Sequence, residues 1–240
     1  MRGAIMQPTY LPWTGFFDLI DSVDVFVYLD NVKLEKSSWH VRNQIKSVQG
    51  AVMLTVPVST PNGRLETMIN ETLLSPKPWQ KKHLKTLVTN YSKAPFFNDV
   101  YPFIEGLLKR DYQNLAELNM AIISAVATQL GITTKLVRAS NLDNITGVKD
   151  ERLVSLCHEL SITHYLSPVG AADYIEKHSK GGAIVKAGIS LSYQSYQAPT
   201  YPQLYGDFIS HLSVFDALFN CGFEHTLELI RQHSNRGALV

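Results

Sequence analysis

The sequence predicts an α/β fold: a mostly parallel sheet flanked by helices, with a helical middle section. Three patterns carry that expectation. The first thirty residues read as strand, helix, strand. The apolar period then turns helical from about residue 77 to about 131, and beyond it short apolar runs alternate again with helical stretches.

Residues 3–6 (Gly3, Ala4, Ile5, Met6) form a short apolar run closed by Gln7-Pro8, since proline cannot continue a central ladder. A proline-containing loop, 9–14, follows. Phe16, Phe17, Leu19 and Ile20 then recur at helical spacing after Gly15, and Asp21-Ser22 is a stop. Residues 23–29 are a nearly continuous β-branched and aromatic run, the pattern of a strand buried on both faces. Together these make a βαβ unit, so the sheet is expected to be Rossmann-like. Its ligand crevice should then lie at the carboxyl ends of the strands, beside Gln7 and Asp30.

Residues 31–50 are polar and amphipathic. Read as a helix, the segment 36–46 would put Lys36, Trp39, Asn43 and Lys46 on one face with Arg42 at its flank. Residues 52–58 (VMLTVPV) read as a third buried strand closed by the Pro61-Asn62-Gly63 turn, and 68–74 as a fourth, half exposed. Trp79, His83, Leu84, Leu87, Val88 and Tyr91 then mark one helix, with others at 97–109 and at 114–130, the last ended by Gly131. A strand at 135–138, a turn-rich loop at 140–148 and a helix at 149–160 ended by Ser161 come next. Strands at 164–166 and 189–193 and two short helices at 213–221 and 222–232 complete the chain. One domain over residues 1–240 is expected, with about 77–131 inserted into or packed on the α/β core.

The 240 residues, 45% apolar and 18% charged, suffice for a buried core without disulfides or metals. With 22 Lys+Arg against 21 Asp+Glu the net charge is +1, which lacks the electrostatic footprint of a nucleic-acid binder. No apolar run approaches the roughly 20 residues of a membrane span, and the N-terminus lacks a leader pattern, so a soluble, cytoplasmic protein is expected. Cys157 and Cys221 read as buried thiols of a reducing compartment. His40, His158, His164, His211 and His225 form no HxH or HExxH spacing, so no metal is expected. No GxSxG elbow, P-loop or GxGxxG occurs, which argues against a hydrolase of that type, a Walker ATPase and a dinucleotide oxidoreductase.

Three stretches are distinctive. The first is Gln7-Pro8-Thr9-Tyr10-Leu11-Pro12-Trp13-Thr14-Gly15-Phe16-Phe17. The second is Lys36-Ser37-Ser38-Trp39-His40-Val41-Arg42-Asn43-Gln44-Ile45-Lys46, leading into Leu54-Thr55-Val56-Pro57-Val58. The third is Tyr201-Pro202-Gln203 followed by Leu212-Ser213-Val214-Phe215-Asp216. In order and spacing they resemble the WbqC-like family of bacterial O-antigen and related surface-polysaccharide gene clusters, nearly end to end. The resemblance implies a part in lipopolysaccharide or similar glycan biosynthesis, and for some members glycine or other aminoacyl transfer. The opening loop is also similar to the start of HIGH-type nucleotidyltransferases. There, however, Trp13 and Phe16 stand where those enzymes carry phosphate-binding histidines.

Within these stretches Gln7 can donate to and accept from sugar hydroxyls, or hold its own loop. Tyr10 and Trp13 can stack on a base or sugar, or staple the core. Asp30 is either a base at a strand end or a turn cap. Lys36, Arg42 and Lys46, with Trp39 and Asn43, suit a diphosphate or carboxylate, and equally a solvated face. His83, among apolar neighbours, is either a proton acceptor or a core residue. Tyr201 and Gln203 are further substrate contacts, and Ser213 with Asp216 reads first as a helix start.

The function expected is acyl or aminoacyl transfer to an amino group of a nucleotide-linked sugar, with His83 or Asp30 as base and no metal. The donor would be coenzyme A or an acyl carrier protein. A pathway enzyme is a further expected partner; nucleic acid and membrane insertion are not. The alternatives are a non-catalytic sugar-nucleotide or partner-binding module and a nucleotidyltransferase-like enzyme.

Overall fold

The computed structural model describes residues 1–35, 38–63, 66–177 and 179–235. Strand β1 (Arg2–Met6) leads through a loop into helix α1 (Thr14–Asp21) and strand β2 (Val25–Tyr28), the expected βαβ unit. A hairpin follows, β3 (Arg42–Ser47) with β4 (Gly50–Thr55), then a small ribbon of β5 (Val58–Ser59) with β6 (Leu73–Leu74). Helices α2 (Trp79–Tyr91), α3 (Phe97–Leu108) and α4 (Leu115–Gln129) form the middle section. The chain returns to the sheet with β7 (Lys135–Arg138), α5 (Asp150–Glu159) and β8 (His164–Ser167). Short helices α6 (Ala172–Ile175) and α7 (Gly182–Lys186) precede β9 (Ser190–Tyr193). Strand β10 (Ser195–Tyr196), helix α8 (Val214–Gln232) and β11 (Ser234–Asn235) close the described chain.

The main sheet has five strands in the order β7-β2-β1-β8-β9, and every neighbouring pair is parallel. Alternation along the strands divides the core into two layers. Ala4, Phe26, Tyr28 and Leu166 face a cluster built from α1, α2, α3, α4 and α8. Ile5, Val25, Val27 and Leu191 face a second cluster with Leu153 and Leu156 of α5 and Ile184 of α7. From β1 the chain steps to β2 on one side and later places β8 on the other. The order therefore reverses between β1 and β8, the topological switch point where open α/β sheets bind ligands.

Local chemistry fixes the element ends. The Asn114 side chain accepts from the Glu117 backbone N–H at 2.9 Å and caps α4, and Gly131 stops it at φ +76°. Ser213 Oγ accepts from the Phe215 N–H at 3.3 Å at the start of α8. Helix α8 is in effect the two short helices expected, joined at Gly222, whose φ of 76° kinks it beside Phe96.

Three expectations are corrected. Residues 42–47 form a strand, not part of a helix, so Asn43 and Lys46 lie on opposite faces. Asn43, Ile45 and Ser47 of one face are all buried, Lys46 of the other face is buried as well, and Ser47 pairs with Gly50 across a two-residue turn that Gly50 permits at φ +101°. Residues 52–58 are not a strand of the main sheet: β4 is the outer arm of this hairpin and keeps one face open. Residues 68–74 hold a 3-10 turn, Ile69–Glu71, and the two-residue β6 instead of one half-exposed strand.

Candidate functional site

The loop after β1 is tied down from three sides. Asn43 Nδ2 donates to the carbonyls of Tyr10 (3.1 Å) and Leu11 (2.7 Å), holding Leu11 in a left-handed conformation at φ 45°. Asn119 Nδ2, from α4, donates to Pro8 O at 3.1 Å and His40 O at 2.8 Å. The Val214 N–H at the start of α8 donates to Pro12 O at 2.9 Å. The result is a fixed wall at the carboxyl end of β1.

Against this wall lies a cleft of about 260 Å³, lined by Met6, Thr9, Pro12, Trp13, Phe16, Trp39, Asn43 and His211. Trp13 is its central plate. Its ring lies so close over the start of α1 that a Cβ on Gly15 would come within 2.3 Å of it. On its other sides it meets Tyr196 edge-on at 5.4 Å and the His211 imidazole at 4.7 Å with the planes 33° apart. Trp39 is 53% exposed and supplies a second indole at the rim. One exposed and one half-buried indole around a concave site with a few polar groups suit a flat or sugar-like ligand.

His211, itself exposed, reaches the cleft from an irregular surface segment that is pinned to a buried network. Gln203 closes that segment: its Nε2 donates to Ile209 O and its Oε1 accepts from the Ile209 N–H, both at 2.9 Å. The same amide donates to Asp216 Oδ2 at 2.8 Å and accepts from Lys46 Nζ at 3.0 Å. Lys46 also donates to Asp207 O. Tyr91 and Tyr201 complete the shell of Asp216, donating at 2.6 Å and 2.9 Å. Burial pushes the Asp216 carboxyl above the ordinary range, while the hydroxyls, Lys46 and Gln203 pull it back. Tyr205 and His211 adopt left-handed backbone, φ 63° and 59°, conformations that persist only where surroundings over-determine them. His211 Nδ1 pairs with Ser210 Oγ at 2.9 Å.

The residues singled out in the sequence thus separate. Trp13, Trp39 and Asn43 line the cleft. Gln7 sits half-buried just past β1, next to the lining residue Met6. Lys46, Tyr201 and Gln203 belong to the buried Asp216 network, and Arg42 shares a face of β3 with Lys46. Lys36 lies outside the described residues. Tyr10 is fully buried and its hydroxyl meets His83 Nδ1 at 2.9 Å. His83 is held to about 4 by burial and borders a different hollow, between β4 and α2. Asp30 accepts from Arg138 Nε at 2.6 Å, the Ser140 N–H at 3.0 Å and Ser140 Oγ at 2.7 Å, tying the end of β2 to the turn after β7.

Sequence reasoning missed Thr9, Phe16 and His211 as cleft residues and Asp216 as the hub. His211 stands in no motif and at no metal-ligand spacing, and Asp216 looks like any acid in a first helical turn. Among the described residues no group of three His, Cys, Asp or Glu side chains is placed to hold a metal ion, and no helix is long and apolar enough to cross a membrane.

Comparison with known proteins agrees with the three sequence stretches. The model of the WbqC-like protein family matches residues 7–228. An uncharacterized protein of Mycobacterium tuberculosis is 36% identical over 222 residues, covering 92% of this chain and 94% of that one. No solved structure matches.

Proposed function

This chain belongs to the WbqC-like protein family, and from that premise we propose that it is a cytoplasmic acyl- or aminoacyltransferase acting on an amino group of a nucleotide-linked sugar in surface-polysaccharide biosynthesis. The observation that carries the reading is the cleft at the carboxyl end of β1, where two indoles and an imidazole surround a mainly apolar hollow with a few polar groups. In this reading Trp13 and Trp39 stack on the base or sugar and Thr9 supplies a polar contact, while Asn43 holds the loop that carries them.

The chemistry needs an amine lone pair and a place for its proton. The amine attacks the acyl carbonyl of a thioester, a C–N bond forms, the C–S bond breaks and the thiol leaves. His211 takes the ammonium proton in the tautomer in which Nδ1 donates to Ser210 Oγ, which leaves the lone pair on Nε2. His83 and Asp30 act here as supports, since their polar atoms are engaged by Tyr10 and by Arg138 with Ser140.

The test is incubation with nucleotide-linked amino sugars and acyl or aminoacyl donors, read by mass spectrometry. A product heavier by the acyl group, lost in His211→Ala, supports the reading. Release of pyrophosphate from ATP or CTP, with no acylated sugar, replaces it with nucleotidyl transfer. Ligand binding without any product leaves a binding module.

A further inference from the structure

Helix α2 carries an unusual charge pattern. From residue 72 to 98 the chain has five lysines (Lys77, Lys81, Lys82, Lys85 and Lys93) and no Asp or Glu, in a protein of net charge +1. Lys77, Lys81, Lys82 and Lys85 are exposed, and none makes an ion pair among the described residues. Two of them, Lys81 and Lys82, stand in the first turn, where the helix dipole is already positive and no acidic side chain offsets it. An isolated helix end is better served by carboxylates there, so the pattern calls for negative charge from outside.

Beside two of these lysines, Lys81 and Lys85, runs a groove of about 670 Å³, whereas Lys77 and Lys82 border the hollow between α2 and β4. Lys81, Leu84, Lys85 and Val88 of α2 form one wall, spaced one, four, five and eight residues from Gln80 along a single helix face. Tyr101, Glu105, Leu108 and Lys109 of α3 form the other. Leu84, Val88, Leu108 and the Tyr101 ring make an apolar floor, and Val88 is 38% exposed. Glu105 is neutralised within the groove by Lys109 at 3.0 Å. Lys81 and Lys85 therefore rim an apolar trough between two helices.

We propose that this groove docks an acidic amphipathic helix of a partner protein. Apolar side chains of such a helix at every third or fourth position fill the trough, and its flanking carboxylates meet Lys81 and Lys85. A polyanion such as nucleic acid or a charged glycan would use the lysines but leave the apolar floor uncovered, which is why a helix is the occupant named. The assignment is independent of the cleft reading, since no residue of the groove lines the cleft.

The probe is a fluorescent, helix-stabilised peptide with leucines at heptad spacing flanked by glutamates, followed by anisotropy. The intact protein should bind it and lose roughly tenfold or more in affinity as ionic strength rises to about 0.5 M. A comparable loss is expected for Lys81→Glu/Lys85→Glu and for Val88→Asp, and none for the exposed Lys135→Glu or for Trp13→Ala. Circular dichroism melts verify that each variant is folded. Equal binding of a peptide with lysines in place of the glutamates, or wild-type affinity in the double variant, overturns the proposal. Direct binding of fluorescein-labelled heparin that is unchanged in Val88→Asp, with no binding of the peptide to the intact protein, overturns it in favour of a polyanion site.

Discussion

Lys46 and Asp216 are opposite charges buried in the same interior, and the amide of Gln203 stands between them. Its Oε1 takes the ammonium at 3.0 Å and its Nε2 gives to the carboxylate at 2.8 Å. This relay joins β3 to the start of α8 and holds the segment that delivers His211 to the cleft. Buried charges left without partners are costly, so each end of the relay depends on the other.

The first prediction follows from that dependence. Asp216→Asn should destabilise the protein by about 2–4 kcal/mol, because Lys46 then lies buried without a nearby anion. Adding Lys46→Met should cost less than the sum of the two single changes. Urea unfolding of the four proteins gives the coupling term, and strict additivity would contradict the relay.

A second concerns acid. Burial holds both His40 and His83 down to about 4, against an ordinary value of 6.5. The unfolded chain therefore binds more protons than the fold between pH 6.5 and pH 4, and stability must fall as the pH drops through that window. Each imidazole contributes a slope of up to about 1.4 kcal/mol per pH unit. Urea midpoints measured from pH 7 to pH 4.5 should show the decline, and His83→Gln should make it shallower. An identical slope in that variant would mean that His83 is not held neutral.

Gly15→Ala is the third. The new Cβ collides with the Trp13 ring unless that ring swings away. A stability loss of about 1–3 kcal/mol is expected from the crowding, together with loss of ligand binding in the cleft. Calorimetry and unfolding on the same sample separate the two effects, and unchanged affinity would show that Trp13 is not the stacking plate.

The fourth separates support from catalysis at Asp30. Its carboxylate accepts three hydrogen bonds, one from a guanidinium, and Asn cannot reproduce them. Asp30→Asn should lose about 2–4 kcal/mol of stability while the folded fraction still binds ligand. Full stability with abolished turnover would instead make Asp30 the base.

Much of the fold was legible because periodicity is a local signal. The run from Val25 to Tyr28 and the helical stripe of α2 need no partner to be seen, and the Gly222 break in α8 follows from one residue. The hairpin of β3 and β4 was hidden because Lys46 and Arg42 look solvated. The strand emerges only once Asn43, Ile45 and Ser47 are known to share a buried face and Lys46 to be buried on the other. The cleft was half legible: Trp13, Trp39 and Asn43 stand in distinctive stretches. His211 is brought beside Trp13 from 198 residues away by the Gln203 closure, which no local pattern announces. His83 and Asp30 drew attention by residue type, and only their hydrogen-bond partners reveal how fully they are engaged.

The most direct test of the central claim is isothermal titration of a nucleotide-linked amino sugar into the intact protein and into Trp13→Ala. The account predicts saturable one-to-one binding by the intact protein and at least tenfold weaker binding (about 1.4 kcal/mol) by the variant. Binding of equal strength to both, or none to the intact protein, would contradict the assignment of the β1 cleft as the substrate site.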